Sequence, residues 1–160
     1  MNAVGDGAHA QRAGQQMTTT GLTDASRRLT PPGHWDWHIP TPFSQGWQVG
    51  NLVITGGQLS ADRNGNVVGV GDIEVQTRNV FENIAAVLKE AGTDWAHVVK
   101  LNTFYIYDGP PEKAREYWEK MSRIRLEYLA DPGPAATAVR VAGLMYDGFL
   151  IEADAIAVIR

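Results

Sequence analysis

Apolar residues fall at helical spacing between Asp72 and Gly92. Ile73, Val80, Ile84, Val87, Leu88 and Ala91 share one stripe. Asp72 is placed to cap that helix, Glu74 suits the positive end of its dipole, and Gly92 stops it. The stretch from His97 to Tyr107 is β-branched and aromatic and predicts a strand. Asp108, Gly109, Pro110 and Pro111 then open a second helix with Ala114, Tyr117, Met121, Ile124 and Tyr128 inward, and Asp131–Pro134 end it. Upstream, residues 47–60 read as two short strand segments around a turn at Gly50–Asn51, and Asn64–Gly65 is a hairpin signal. Gly69 and Gly71 lack the third glycine of a dinucleotide fingerprint and predict a bend into the helix. Downstream, residues 137–143 and 149–159 read as strands separated by a turn at Asp147–Gly148.

The predicted order is β-β-α-β-α-β-β, an α+β domain with one sheet covered on one face by two helices. Its second face, if apolar, needs burial too, and oligomerisation supplies that. Residues 1–32 are polar, small and aperiodic. They are expected to form a flexible tail, with Met17 an alternative start, while Pro31, Pro32 and Gly33 lead into a domain over 33–160.

Composition narrows the function. The chain has 160 residues, 44% of them hydrophobic, and a net charge of −4, so no broad nucleic-acid surface is expected. Cysteine is absent, which removes disulfides, thiolate catalysis and cysteine zinc sites. No secretory pattern and no run near the ~20 apolar residues of a membrane span is present, so a soluble cytoplasmic protein is expected.

Two stretches carry candidate chemistry. In residues 34–38, His34, Asp36 and His38 alternate with Trp35 and Trp37. In an extended chain the two sets would point oppositely. A 2-His-1-carboxylate set binds iron or zinc, but close neighbours on one strand converge poorly on a single ion, so no metal is assigned. In the last strand, Glu152 and Asp154 share a face with Leu150, Ile156 and Val158. Carboxylates there should be desolvated, paired or at an interface. Desolvation would suit Glu152 for proton transfer with a bound water. The alternative, favoured from the residues alone, is a structural ion pair with Arg140.

From about Pro42 to Ile159 the chain resembles the Rid family, the reactive enamine/imine deaminases. The resemblance rests on "PFSQGWQVGNLVITGGQLS", "DIEVQTRNVFENIAAVLKEAG", "DWAHVVKLNTFYI", "GPAATAVRVAGL" and "IEADAIAVI". It implies a chorismate-mutase-like mixed sheet with two helices on one face. It also implies a homotrimer with clefts between subunits, a small-molecule substrate and no cofactor.

The same resemblance implies a site and shows departures from it. Deaminating members read Pro-Ala-Arg-Ser where this chain has Pro134, Ala135, Ala136 and Thr137, so the arginine that grips a substrate carboxylate is Ala136. A tyrosine is replaced by Phe43, a cysteine by Ala138 and an asparagine by Ser122. Gly57 and the water-handling Glu152 are retained, and Asp154 matches the second acid. Arg140 either compensates from the Ala136 face or, the favoured reading, pairs with Glu152 or Asp154. His34 and Asp36 are candidate polar lining of a cleft whose aromatic character favours a less charged ligand than a 2-imino acid. The implied activity is hydrolytic deamination of an enamine or imine. The alternative is a non-catalytic small-molecule binder or chaperone-like trimer, and RNA cleavage is the least favoured reading.

Overall fold

The computed structural model describes residues 25–159. Strands and helices follow in the order β1 (Ser26–Leu29), β2 (Gly46–Val49), β3 (Leu52–Thr55), β4 (Gln58–Leu59), α1 (Ile73–Glu90), β5 (Val98–Tyr105), α2 (Ala114–Arg125), β6 (Ala135–Arg140) and β7 (Ile151–Val158). The sheet order is β1-β2-β3-β7-β5-β6, with β4 also paired to β7. Among the described residues only the β5–β6 pairing is parallel, because α2 carries the chain across between them. The mixed sheet and two helices match the expected fold class.

Local chemistry explains α1. The Asp72 side chain accepts from the Glu74 and Val75 N–H groups at 3.0 and 3.1 Å. Gly69 and Gly71 turn the chain into the helix with φ of 71° and 76°, a region closed to most side chains. Buried Gln76 donates to the Gly69 and Gly148 carbonyls and accepts from the Leu150 N–H, tying α1 to the entry of β7.

The core lies between α1 and the sheet. In β7, Ile151, Ala153, Ala155 and Ala157 are fully buried against a stripe that includes Val80, Ile84, Val87 and Leu88. Three alanines in alternation let the helix approach the strand closely. The opposite side of β7 carries Glu152, Asp154, Ile156 and Val158. Across β3, Leu52 pairs with Val158 and Ile54 with Ile156. Leu52 and Ile54 stay 40% and 43% exposed, so this part of the second face is apolar and uncovered in one chain.

The start of the domain differs from expectation. β1 falls within the stretch assigned to the tail, yet it pairs with β2 and its Leu29 is fully buried. Four residues that include two arginines give no strand signal in isolation; β2 supplies the pairing. Residues 1–24, which hold the rest of that stretch and Met17, lie outside the described residues. Residues 34–38 are irregular rather than extended in a strand, and β6 begins two residues earlier than the pattern predicts. Among the described residues no helix is long and apolar enough to cross a membrane.

Asp72→Ala removes the α1 cap. It should lower stability by about 1 kcal/mol, read as a lower urea midpoint at unchanged slope.

Candidate functional site

A buried amide network builds the site. β3 ends at Thr55, the chain steps through Gly56 and Gly57, and β4 begins at Gln58, which is fully buried. The Gln58 amide nitrogen donates to the Gln45 side-chain oxygen at 3.0 Å and to the Gly56 carbonyl at 3.2 Å. Its oxygen accepts from the Trp35 indole at 3.1 Å and lies 2.8 Å from His34 Nε2. An indole N–H can only donate, so the orientation of the amide is fixed and His34 donates from Nε2. Burial lowers the His34 pKa from 6.5, while the bond to Gln58 opposes that shift. Gln45 in turn donates to the Trp35 carbonyl.

The network explains the His–Trp–Asp–Trp–His stretch. Trp35 is buried and stacks on Phe43 with ring centroids 5.4 Å apart, and Trp37 meets both rings edge-on. Asp36 and His38 are exposed. His34, expected to point with them, instead turns inward to Gln58, because no strand pairing enforces alternation here. The stretch is therefore an aromatic strap packed on Leu59, Ala61 and Phe149 and stacked on Phe43. Asp36 accepts the Trp37 N–H at its own turn. Among the described residues, no group of three or more His, Asp or Glu side chains is arranged to hold a metal ion.

The glycine step brings a carboxylate against the backbone. A Cβ on Gly57 would lie 2.0 Å from Glu152 Oε1, and one on Gly56 would lie 2.7 Å from the Ser44 carbonyl and 3.3 Å from the Phe43 ring. Phe43, Gly57 and Glu152 are thus brought together within one chain. Glu152 is half-buried, with no hydrogen-bond or ion-pair partner among the described residues. Burial raises its pKa above 4.5, and the Asp154 charge adds to the effect. Asp154 itself accepts from Asn102 at 2.9 Å.

The expected ion pair between Arg140 and Glu152 or Asp154 does not form. β5 lies between β6 and β7, and the register runs Arg140–Tyr105–Ile151, which puts Arg140 on the side of the buried Ile151. Glu152 faces the other way. The Arg140 guanidinium sits 5.3 Å from the centre of the Tyr107 ring. Ala136 and Ala138 share the Arg140 side of β6; Thr137 shares the Glu152 side and accepts from Lys100 Nζ at 2.7 Å. Ser122 is on the helical side and donates to the Trp118 carbonyl. One chain therefore holds two half-sets: Phe43, Gly57 and Glu152, with His34 behind them, and, apart from these, Ser122, Ala136, Ala138 and Arg140. Gln45, Gln58, Asn102 and Lys100 were not singled out by sequence. The only hint was a glutamine inside an apolar run, as at Gln58.

Comparison with known proteins fits this architecture. Residues 38–159 match the family model described as endoribonuclease L-PSP. The chain is 40% identical over 116 residues to a RutC family protein of Pyrococcus abyssi, spanning 72% of this chain and 85% of that protein. The chain belongs to the Rid (YjgF, endoribonuclease L-PSP) family. Among solved Rid-family structures, RidA from an Antarctic Psychrobacter superposes with a TM-score of 0.69 at 27% identity, covering 83% of this chain and 99% of that one. The Rid protein YyfA of Yersinia pestis gives 0.70 at 28% identity, covering 84% and 100%. The Rid domain thus accounts for the sheet, the helices and their order.

Gln58→Leu strands the Trp35 indole N–H and the Gln45 side-chain oxygen without partners in a buried site. It should lower stability by about 2–3 kcal/mol, measured by urea unfolding, well beyond the effect of an exposed Gln→Leu change.

Proposed function

We propose that this Rid-family protein hydrolyses a reactive imine or enamine to a carbonyl compound and ammonia. The observation that carries the reading is Glu152, a half-buried carboxylate with no partner among the described residues, resting on a glycine backbone. Such a group can take a proton from water and return it. Water adds to the C=N carbon as Glu152 accepts its proton. That proton passes to nitrogen, giving the carbinolamine; Glu152 then relays the hydroxyl proton to nitrogen as the C–N bond breaks, leaving the carbonyl compound and ammonia. An enamine first takes a proton at carbon to become the imine. These intermediates hydrolyse unaided, so placement of water and modest proton transfer suffice.

The reading includes three copies of the chain, with sites at their seams. Support comes from the uncovered apolar face and from β6, an edge strand exposed along its whole length. A neighbour's β6 and α2 would bring Ala136, Ala138 and Ser122 toward Phe43, Gly57 and Glu152. Ala136 offers no charge there, so a standard 2-imino acid, whose carboxylate sits on the reacting carbon, is not the proposed substrate. The proposed setting is the cytoplasm.

The test couples an imine-generating oxidase or lyase to the purified protein and follows ammonia release. Glu152→Gln should cut the protein-dependent rate by about 100-fold or more. Relative to the uncatalysed reaction, the wild-type rate should rise with pH through a pKa above 4.5, because Glu152 must be ionised to act as base. An unchanged rate in the variant would remove Glu152 from the mechanism. Ligand-induced thermal shifts without any turnover would favour a binding protein instead.

A further inference from the structure

Helix α2 carries an inward cation that its packing does not explain. Trp118, Met121, Ser122 and Arg125 stand at i, i+3, i+4 and i+7, on one helical face. Met121 on that face is buried in the core, and Arg125 is half-buried. A cation in the last turn suits the helix dipole, but exposed Arg123 already meets that need and reaches Glu119 at 3.5 Å. Arg125 has no ion pair and no side-chain hydrogen bond among the described residues.

Arg125 shares a cavity with Thr103 of β5. Ser122 lies in the same lining, and Phe81, Met121 and Ile151 give it apolar walls. Thr103 is 7% exposed, and its hydroxyl makes no hydrogen bond among the described residues. Its partners in the register are Ala153 and Ala138, whose small side chains leave space above the hydroxyl. Ser122 spends its proton on the Trp118 carbonyl. The donors left over are the Thr103 hydroxyl and the Arg125 guanidinium. The cavity measures about 250 Å³ with its open mouth, and its interior has room for about one water.

We infer that this cavity binds the head group of a small monocarboxylate, with Arg125 as its cation and Thr103 as its inner donor. One carboxylate oxygen takes the water-sized space at Thr103, and the guanidinium grips the group from the helix. A guanidinium fork matches a planar carboxylate. A phosphate dianion would call for a second cation, and among the described residues no charged side chain besides Arg125 lines the cavity. The apolar walls make a charged hydrogen bond stronger here than on an open surface. Arg125 is long and unpartnered, so it can shift to admit the group without breaking a bond. The site belongs to one chain and rests on neither the assembly nor the deaminase reading.

The experiment measures binding of acetate, propionate and butyrate to the full chain by titration calorimetry or ligand-observed NMR. The matching amides serve as neutral counterparts of nearly equal shape. At least one carboxylate should bind the wild type more tightly than its amide does. Arg125→Gln should weaken that carboxylate about tenfold and leave the amide unchanged. Thr103→Val swaps the hydroxyl for a methyl and should weaken it about threefold. Arg125→Lys keeps the charge, loses the fork and should fall between wild type and Arg125→Gln; it carries the comparison if Arg125→Gln is unstable. The inference is overturned if no carboxylate outbinds its amide, or if replacing Arg125 or Thr103 leaves carboxylate binding as it was. The readout needs no turnover. Failure of ammonia release would leave this site standing, and loss of carboxylate binding would leave the Glu152 mechanism standing.

Discussion

A sheet has two faces, and this chain has helices for only one. β7 makes the constraint plain. Its alanines disappear beneath α1, while Ile156 and Val158 on the reverse side join Leu52 and Ile54 in an apolar surface that a single copy leaves open. Each Å² of such surface withdrawn from water contributes about 25 cal/mol. In the proposed assembly, contact with further copies answers that demand. Glu152 is already half-buried in the single chain, and burial of this face in the proposed assembly would desolvate it further. The position of the candidate acid and the proposed assembly are consequences of one asymmetry.

The second constraint is local. Glu152 and Phe43 approach the Gly56–Gly57 backbone more closely than any side chain there would permit. The step is held by Gln58, whose amide is saturated by Gln45, Gly56, Trp35 and His34. The aromatic strap and the buried amides thus serve the site indirectly. They fix the backbone against which a small ligand would be pressed, and none of them needs to take part in proton transfer.

Most of the scaffold was legible from periodicity. α1 has an apolar stripe, a capping aspartate and a stop glycine, and each is local. The shared face of Glu152 and Asp154 followed from strand alternation alone. The failures all involve long-range information. β1 is four residues whose strand character comes from β2, so it was lost in what read as a tail. Arg140 was matched to Glu152 because β6 precedes β7 in sequence; the insertion of β5 between them, forced by the α2 crossover, is a property of topology. His34 left its expected side because a buried glutamine 24 residues away offered an acceptor. Pairings that join distant residues leave little trace in any one stretch.

Sedimentation equilibrium of the full-length protein at assay concentration tests the central claim most directly. The account predicts one species of three times the 17.5 kDa chain mass. A stably folded 17.5 kDa species that stays single across the concentration range would contradict it.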